Sequence, residues 1–143
     1  MAWFADFDEC DYFGSAAAPH LRAIGWLQRG KSFPTGTVDR QVFDKLVEFR
    51  TESWQPIMTC GLHSCDLCVY EGEALGVNNL LIPGKGFLFV CPELIVHYMN
   101  AHGYAPPEEF RRAVLACPPM RSMDYLKAVL ANGGRAFAKA DII

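Results

Sequence analysis

The sequence predicts an α+β fold: a small antiparallel sheet of three or more strands with about four helices packed on it, in a single domain. Three observations lead there. Two apolar runs, Asn79-Leu80-Leu81-Ile82 and Phe87-Leu88-Phe89-Val90, flank a Pro83-Gly84-Lys85-Gly86 turn, the pattern of a β-hairpin. Val38, Val42, Leu46 and Phe49 recur at helical spacing. Proline, glycine and serine then divide the C-terminal half into three further helical pieces.

The chain has 143 residues, 51% of them apolar and 20% charged. That fits one domain of common size and supplies a core without disulfide staples. The expected organisation of 1–143 is an aromatic, loop-rich region over 1–36, a core over 37–132 carrying a metal loop, the hairpin and the helices, and a loose tail over 135–143.

In chain order, Trp3, Phe4, Phe7, Tyr12 and Phe13 are expected to tuck onto the core, because so many rings would not stay solvated. The segment Leu21 to Leu27 reads as a short strand or a helical turn; its periodicity does not decide. A helix is predicted near Asp39 to Arg50, capped by Thr37 or Asp39. Ser53 to Pro56 ends it, and Ile57-Met58-Thr59 reads as a short strand leading into a cysteine-rich loop. The hairpin follows. Pro92 sits where a first helical turn tolerates proline, Glu93 suits the positive helix start, and Gly103 marks the C-cap of a helix ending near Ala101. Pro106-Pro107 opens the next helix, which reaches about Ala116. Ser122 caps the last, with Met123, Leu126 and Leu130 inward and Asn132-Gly133-Gly134 closing it.

Net charge is −3, which leaves no basic footprint for nucleic acid. No apolar run reaches the length of a membrane span, and the first residues carry acids where a signal peptide needs positive charge. These features predict a cytoplasmic protein. In a reducing compartment the six cysteines do not read as a disulfide framework. Cys10, Cys91 and Cys117 are scattered among apolar neighbours, as small buried hydrophobes are.

Gly25-Trp26-Leu27-Gln28-Arg29-Gly30-Lys31-Ser32 satisfies the bare pattern of a phosphate-binding P-loop. The pattern needs a strand before it and a helix starting at the lysine. Phe33-Pro34-Thr35-Gly36 follows at once and opposes that helix, so nucleotide binding is disfavoured.

The strongest chemical signal is Cys60-Gly61-Leu62-His63-Ser64-Cys65-Asp66-Leu67-Cys68, with three thiols and an imidazole in nine residues. Thiolate and imidazole are the ligands Zn²⁺ prefers, and Cys-x-x-Cys is a common half-site. If the strand near 57–59 and the hairpin share one sheet, the start of the helix after Pro92 lies beside the loop. His97 then sits about 8 Å along that helix. The preferred ligand set is His63, Cys65, Cys68 and His97, with Cys60, Cys91 and His102 as substitutes. His97 and His102 are five residues apart, about 140° around a regular helix, so they make a poor pair unless the helix ends there.

Three rival readings compete with zinc. Cys60-x4-Cys65-x2-Cys68 with a later Cys91 has the spacing of plant-type [2Fe–2S] proteins, although His63 is then unexplained. Thiol redox chemistry at Cys65-x-x-Cys68 lacks the following helix that would lower a thiol pKa. The plain alternative is that the thiols are reduced and buried, and that His97 is a hydrogen-bonded helix histidine. A zinc deaminase is disfavoured, since no glutamate follows His63 at the required place.

The motifs Gly61-x-His63-x-Cys65-x-x-Cys68 and His97-Tyr98-x-x-x-His102-x-Tyr104-x-Pro106-Pro107 resemble those of a family of small bacterial proteins with no assigned activity. The resemblance covers roughly the central and C-terminal two-thirds of the chain. It implies no reaction, but adds weight to His63, Cys65, Cys68, His97 and His102.

Two function classes follow. In one, a structural metal pins the cysteine loop of an interaction or regulatory module, whose protein partner the sequence does not name. In the other, a metal-dependent hydrolase keeps an open zinc position with a general base among Glu71, Glu73 and Glu93, of which Glu93 lies nearest in the expected topology.

Overall fold

A computed structural model describes residues 2–54, 63–68 and 74–135. The fold is α+β, and the described residues form four α-helices, a three-stranded mixed sheet and a two-stranded antiparallel pair in one compact body. The expected strand at Ile57–Thr59, Cys60, Glu71, Glu73 and nearly all of the expected tail lie outside the described residues.

The predicted hairpin forms the heart of the sheet. Strand β4 (Asn79–Pro83) is antiparallel to β5 (Leu88–Pro92), with Leu81 opposite Val90. The turn between them closes with the Gly84 N–H donating to the Phe87 carbonyl at 2.8 Å, and Gly86 takes φ +88°. Both strands are almost wholly buried, which accounts for their continuous apolar runs. The undecided segment at 21–27 supplies a third strand. Leu21–Ala23 is β1, lying parallel to β5 and making the sheet mixed. Beyond it Trp26 is fully buried, and its indole N–H donates to the Val90 carbonyl at 3.0 Å.

Helix α1 (Arg40–Thr51) starts at Asp39, whose carboxylate accepts the Gln41 N–H at 2.9 Å. It buries Val42, Leu46 and Phe49, the face the spacing predicts. Helix α2 (Ile95–His102) begins later than expected. Pro92 is the last residue of β5, opposite Asn79, so its missing N–H falls at a strand end rather than in a first helical turn. Gly103 caps α2 at φ 68°, as predicted.

Helix α3 (Glu108–Ala116) starts after Pro107 and packs against α1, and the Lys45 ammonium reaches the Leu115 and Cys117 carbonyls at its C-terminal end. Helix α4 (Met123–Val129) is capped by Ser122 as predicted, but its inward face differs. Met123 is 66% exposed, whereas Tyr125 and Val129 are buried. The Tyr125 hydroxyl donates to the Leu81 carbonyl at 2.7 Å, a buried hydrogen bond that selects this face over the one Met123 would occupy.

The N-terminal aromatics behave in two ways. Phe4 and Tyr12 pack on Trp26, with ring centroids 5.4 and 5.0 Å away. Trp3 and Phe7 are more exposed, although the Phe7 ring still reaches the core ring of Phe89, with centroids 6.2 Å apart. After Ser32 the chain runs without a helix to Asp39, so the P-loop pattern has no helical cradle here.

Candidate metal centre

The site lies where a short antiparallel pair meets α2. Strand β2 (His63–Ser64) pairs with β3 (Leu75–Gly76), and the Cys65 N–H donates to the Ala74 carbonyl at 3.0 Å, extending the pairing by one step. The pair leans on the residues before α2. The Glu93 carboxylate accepts the Val77 N–H at 3.1 Å. A Cβ on Gly76 would fall 2.8 Å from the Glu93 Cγ, so a glycine is what lets the two segments approach this closely. Cys65 to Cys68 then turns towards α2.

There the turn's two sulfurs meet two imidazoles. The Cys68 Sγ lies 3.2 Å from the His97 Nε2 and 3.6 Å from the His102 Nε2. The Cys65 Sγ lies 3.4 Å from the His102 Nε2. One donor atom from each of the four residues falls within 4.8 Å of all the others. Cys65 is buried, and the other three are half-buried. The two imidazole rings are 5.0 Å apart and nearly perpendicular, at 79°.

The donor set is chemically suited to a metal. Two thiolates and two imidazoles are a common zinc complement, and two negative sulfurs would balance a divalent ion. Zn–S bonds of about 2.3 Å and Zn–N bonds of about 2.0–2.1 Å place tetrahedral sulfur and nitrogen ligands roughly 3.6 Å apart. The three sulfur–nitrogen distances lie close to that edge. Tyr98 is buried beside the same turn, with a hydroxyl that has no hydrogen-bond partner among the described residues. Burial, followed by the negative charge of Cys65, Asp66 and Cys68, holds its phenol well above the ordinary range, so it stays protonated there.

The structure brings Cys65, Cys68 and His97 together with His102, which the sequence reading kept only as a substitute. The 140° separation argued against that pair. However, α2 ends at His102, directly before the left-handed Gly103, which is the condition under which the two can pair, and their rings lie 5.0 Å apart.

His63 stands apart from the group of four. Its Nε2 lies 3.0 Å from the Tyr12 hydroxyl, and burial holds its imidazole below the ordinary pKa. Cys91 sits on β5, fully buried in the core, and burial drives its thiol far above the usual range. Cys10 and Cys117 are also core residues, with thiols pushed up to about 11 and about 12 by burial. Among the described cysteines none is in a disulfide. Glu93 is engaged with the β3 end rather than grouped with the four clustered residues.

No helix among the described residues is long and apolar enough to cross a membrane. No curated protein and no solved structure matches the chain. One family does match, over residues 2–115, a span that contains all four clustered residues, and the chain belongs to that family, the domain of unknown function DUF7919.

Proposed function

We propose that this is a cytoplasmic zinc-binding protein in which Cys65, Cys68, His97 and His102 hold one structural zinc ion, and that it acts as an interaction or regulatory module. The observation that carries the reading is the convergence of four donor atoms within 4.8 Å. Hydrogen bonding alone explains a sulfur and a nitrogen in pairs. It gives no reason for a second sulfur and a second imidazole to join the same point. Four protein ligands fill a tetrahedral shell, which is the pattern of a structural site. The role assigned to the metal is to clamp the Cys65–Cys68 turn onto α2, since two-residue strands bury too little to hold it alone.

Of the four ligands expected from sequence, His63 is replaced by His102 in this proposal, because the Tyr12 hydroxyl already engages the His63 ring nitrogen. Two features speak against an open, hydrolytic site. The shell is filled by protein donors, and Glu93, the nearest candidate base, already accepts a backbone N–H. A plant-type iron–sulfur cluster is less suited, because Cys91 lies in the core and a two-iron cluster spreads its ligands over two metal atoms.

Elemental analysis of protein purified without exposure to nickel resin tests the reading. About one zinc per chain is expected, as one closed site requires. Iron with visible colour would favour a cluster, and metal-free protein with unchanged melting in chelator would reject the clamp.

A further inference from the structure

We infer that Arg29 is the positioning residue of the metal turn, holding Cys65-x-x-Cys68 in its ligating shape before the metal arrives. The inference rests on the zinc reading above and adds a partner from a distant part of the sequence. It also gives a use to the glycine-bounded Gly25–Ser32 stretch, whose resemblance to a phosphate loop leads nowhere.

Arg29 makes three hydrogen bonds to the turn. Its backbone N–H donates to the Asp66 carboxylate at 2.7 Å. Its Nε donates to the Asp66 carbonyl at 3.0 Å and its Nη2 to the Cys68 carbonyl at 2.9 Å. The guanidinium fork thus spans two carbonyls, one of them belonging to a ligand residue. Fixing those peptide planes fixes where the Cys68 side chain leaves the backbone. The Asp66 side chain, which lies between the two cysteines in sequence, is tied down by the same residue.

The arginine itself is held in place. It sits in a tight turn closed by the Lys31 N–H donating to the Gln28 carbonyl at 3.1 Å, with Gly30 at φ +88°. Just before that turn, Leu27 and Trp26 are buried, and the Trp26 indole is bonded to β5. The sheet therefore reaches the metal turn through Trp26, Leu27 and Arg29, while α2 supplies the imidazoles. A preorganised turn binds metal more tightly because less ordering remains to be done on binding. Arg29 is exposed and contributes to no apolar packing in the core, so its removal should spare the fold.

The test is zinc affinity by competition with a chromogenic chelator, for wild type, Arg29→Ala and Arg29→Lys, with melting of each protein in excess chelator. Arg29→Ala is expected to bind one zinc about 10- to 100-fold more weakly, the usual cost of losing an outer-shell partner. Arg29→Lys keeps the charge without the fork and should recover only part of that loss. Once chelated, Arg29→Ala should stay folded and melt slightly below wild type, because the bonds that order the turn are missing from the metal-free protein too. Equal zinc affinity in wild type and Arg29→Ala overturns the inference while leaving the metal site intact, as does a loss of chelated stability with no change in affinity. A wild-type protein that takes up no zinc overturns the metal reading, and the inference with it.

Discussion

Cys91 and Cys68 carry the same thiol in opposite surroundings. Cys91 is fully buried on β5, opposite Leu80, and its environment suppresses the thiolate. Cys68 lies half-buried in a turn, with imidazole nitrogens 3.2 and 3.6 Å away. The contrast extends to the regions around them. The sheet β1–β5–β4 and its helices are joined by apolar packing, with Phe89 set edge-on to Phe87 and Phe110 at 4.9 and 5.5 Å. The β2–β3 pair has two residues per strand and leaves Leu75 51% exposed and Val77 42% exposed just beyond it. Hydrophobic burial therefore accounts for the body of the fold, whereas the turn gives the core only Cys65, with Leu67 and Cys68 at its margin. The turn is held by polar links from Arg29 and Glu93 and, on the present reading, by zinc.

Mutations should separate the two regions. The largest effect belongs to the core: Phe89→Ala is expected to cost about 3–5 kcal/mol in denaturant unfolding, equally with and without chelator. A chelator-dependent cost there would mean that the regions are not independent. Cys65→Ala comes next. It should abolish metal binding and remove the metal-linked share of stability, about 4 kcal/mol when free zinc exceeds the dissociation constant a thousandfold. Wild type and Cys65→Ala should then unfold at nearly the same denaturant concentration in chelator. A difference that persists unchanged in chelator would mark Cys65 as simple packing.

Thiol chemistry sharpens the comparison further. With a thiol pKa of about 11, Cys10 is roughly one part in a thousand thiolate at pH 8. Cys10, Cys91 and Cys117 should be labelled by an alkylating agent only as the protein unfolds. Cys65 and Cys68 should be shielded by zinc and labelled soon after chelation, as peptide mapping by mass spectrometry would record. Early labelling of Cys91 would remove the distinction between the two kinds of cysteine.

The smallest effect concerns Asp6, which accepts the Gly25 N–H and the Tyr104 hydroxyl, each at 3.0–3.1 Å. Burial raises its carboxyl above the ordinary 3.8. A raised folded-state pKa means that the native state binds the proton more tightly. The associated stability is present below pH 3.8 and is lost as pH rises through the raised value. Asp6→Asn keeps an oxygen acceptor for both donors and should flatten that decline. An unchanged pH profile would show that the Asp6 carboxyl is not what titrates there.

Much of the body was legible in the sequence because burial imposes periodicity. Val42, Leu46 and Phe49 follow the helical repeat, the Pro-Gly-Lys-Gly turn marks the hairpin, and Asp39, Ser122 and Gly103 cap helices where their chemistry suits them. The position of β1 was not legible, because three residues are too few to show a period and their partner strand lies more than sixty residues away. The start of α2 was misplaced because Pro92 satisfies a strand end as well as a helix start. At the candidate site, Cys65, Cys68 and His97 were legible from ligand chemistry and spacing. The inclusion of His102 depends on α2 ending at that residue, and the engagement of His63 depends on Tyr12, fifty-one residues away. Arg29 had a signal, a basic residue in a glycine-bounded turn, but it pointed to phosphate rather than to the carbonyls of Asp66 and Cys68.

X-ray absorption at the zinc edge of the purified protein tests the central claim most directly. The expected spectrum is that of one zinc bound by two sulfurs at about 2.3 Å and two imidazole nitrogens at about 2.0–2.1 Å, with the sulfur contribution lost in Cys65→Ala, Cys68→Ala protein. A shell dominated by oxygen, or one unchanged by removal of those two cysteines, would contradict it.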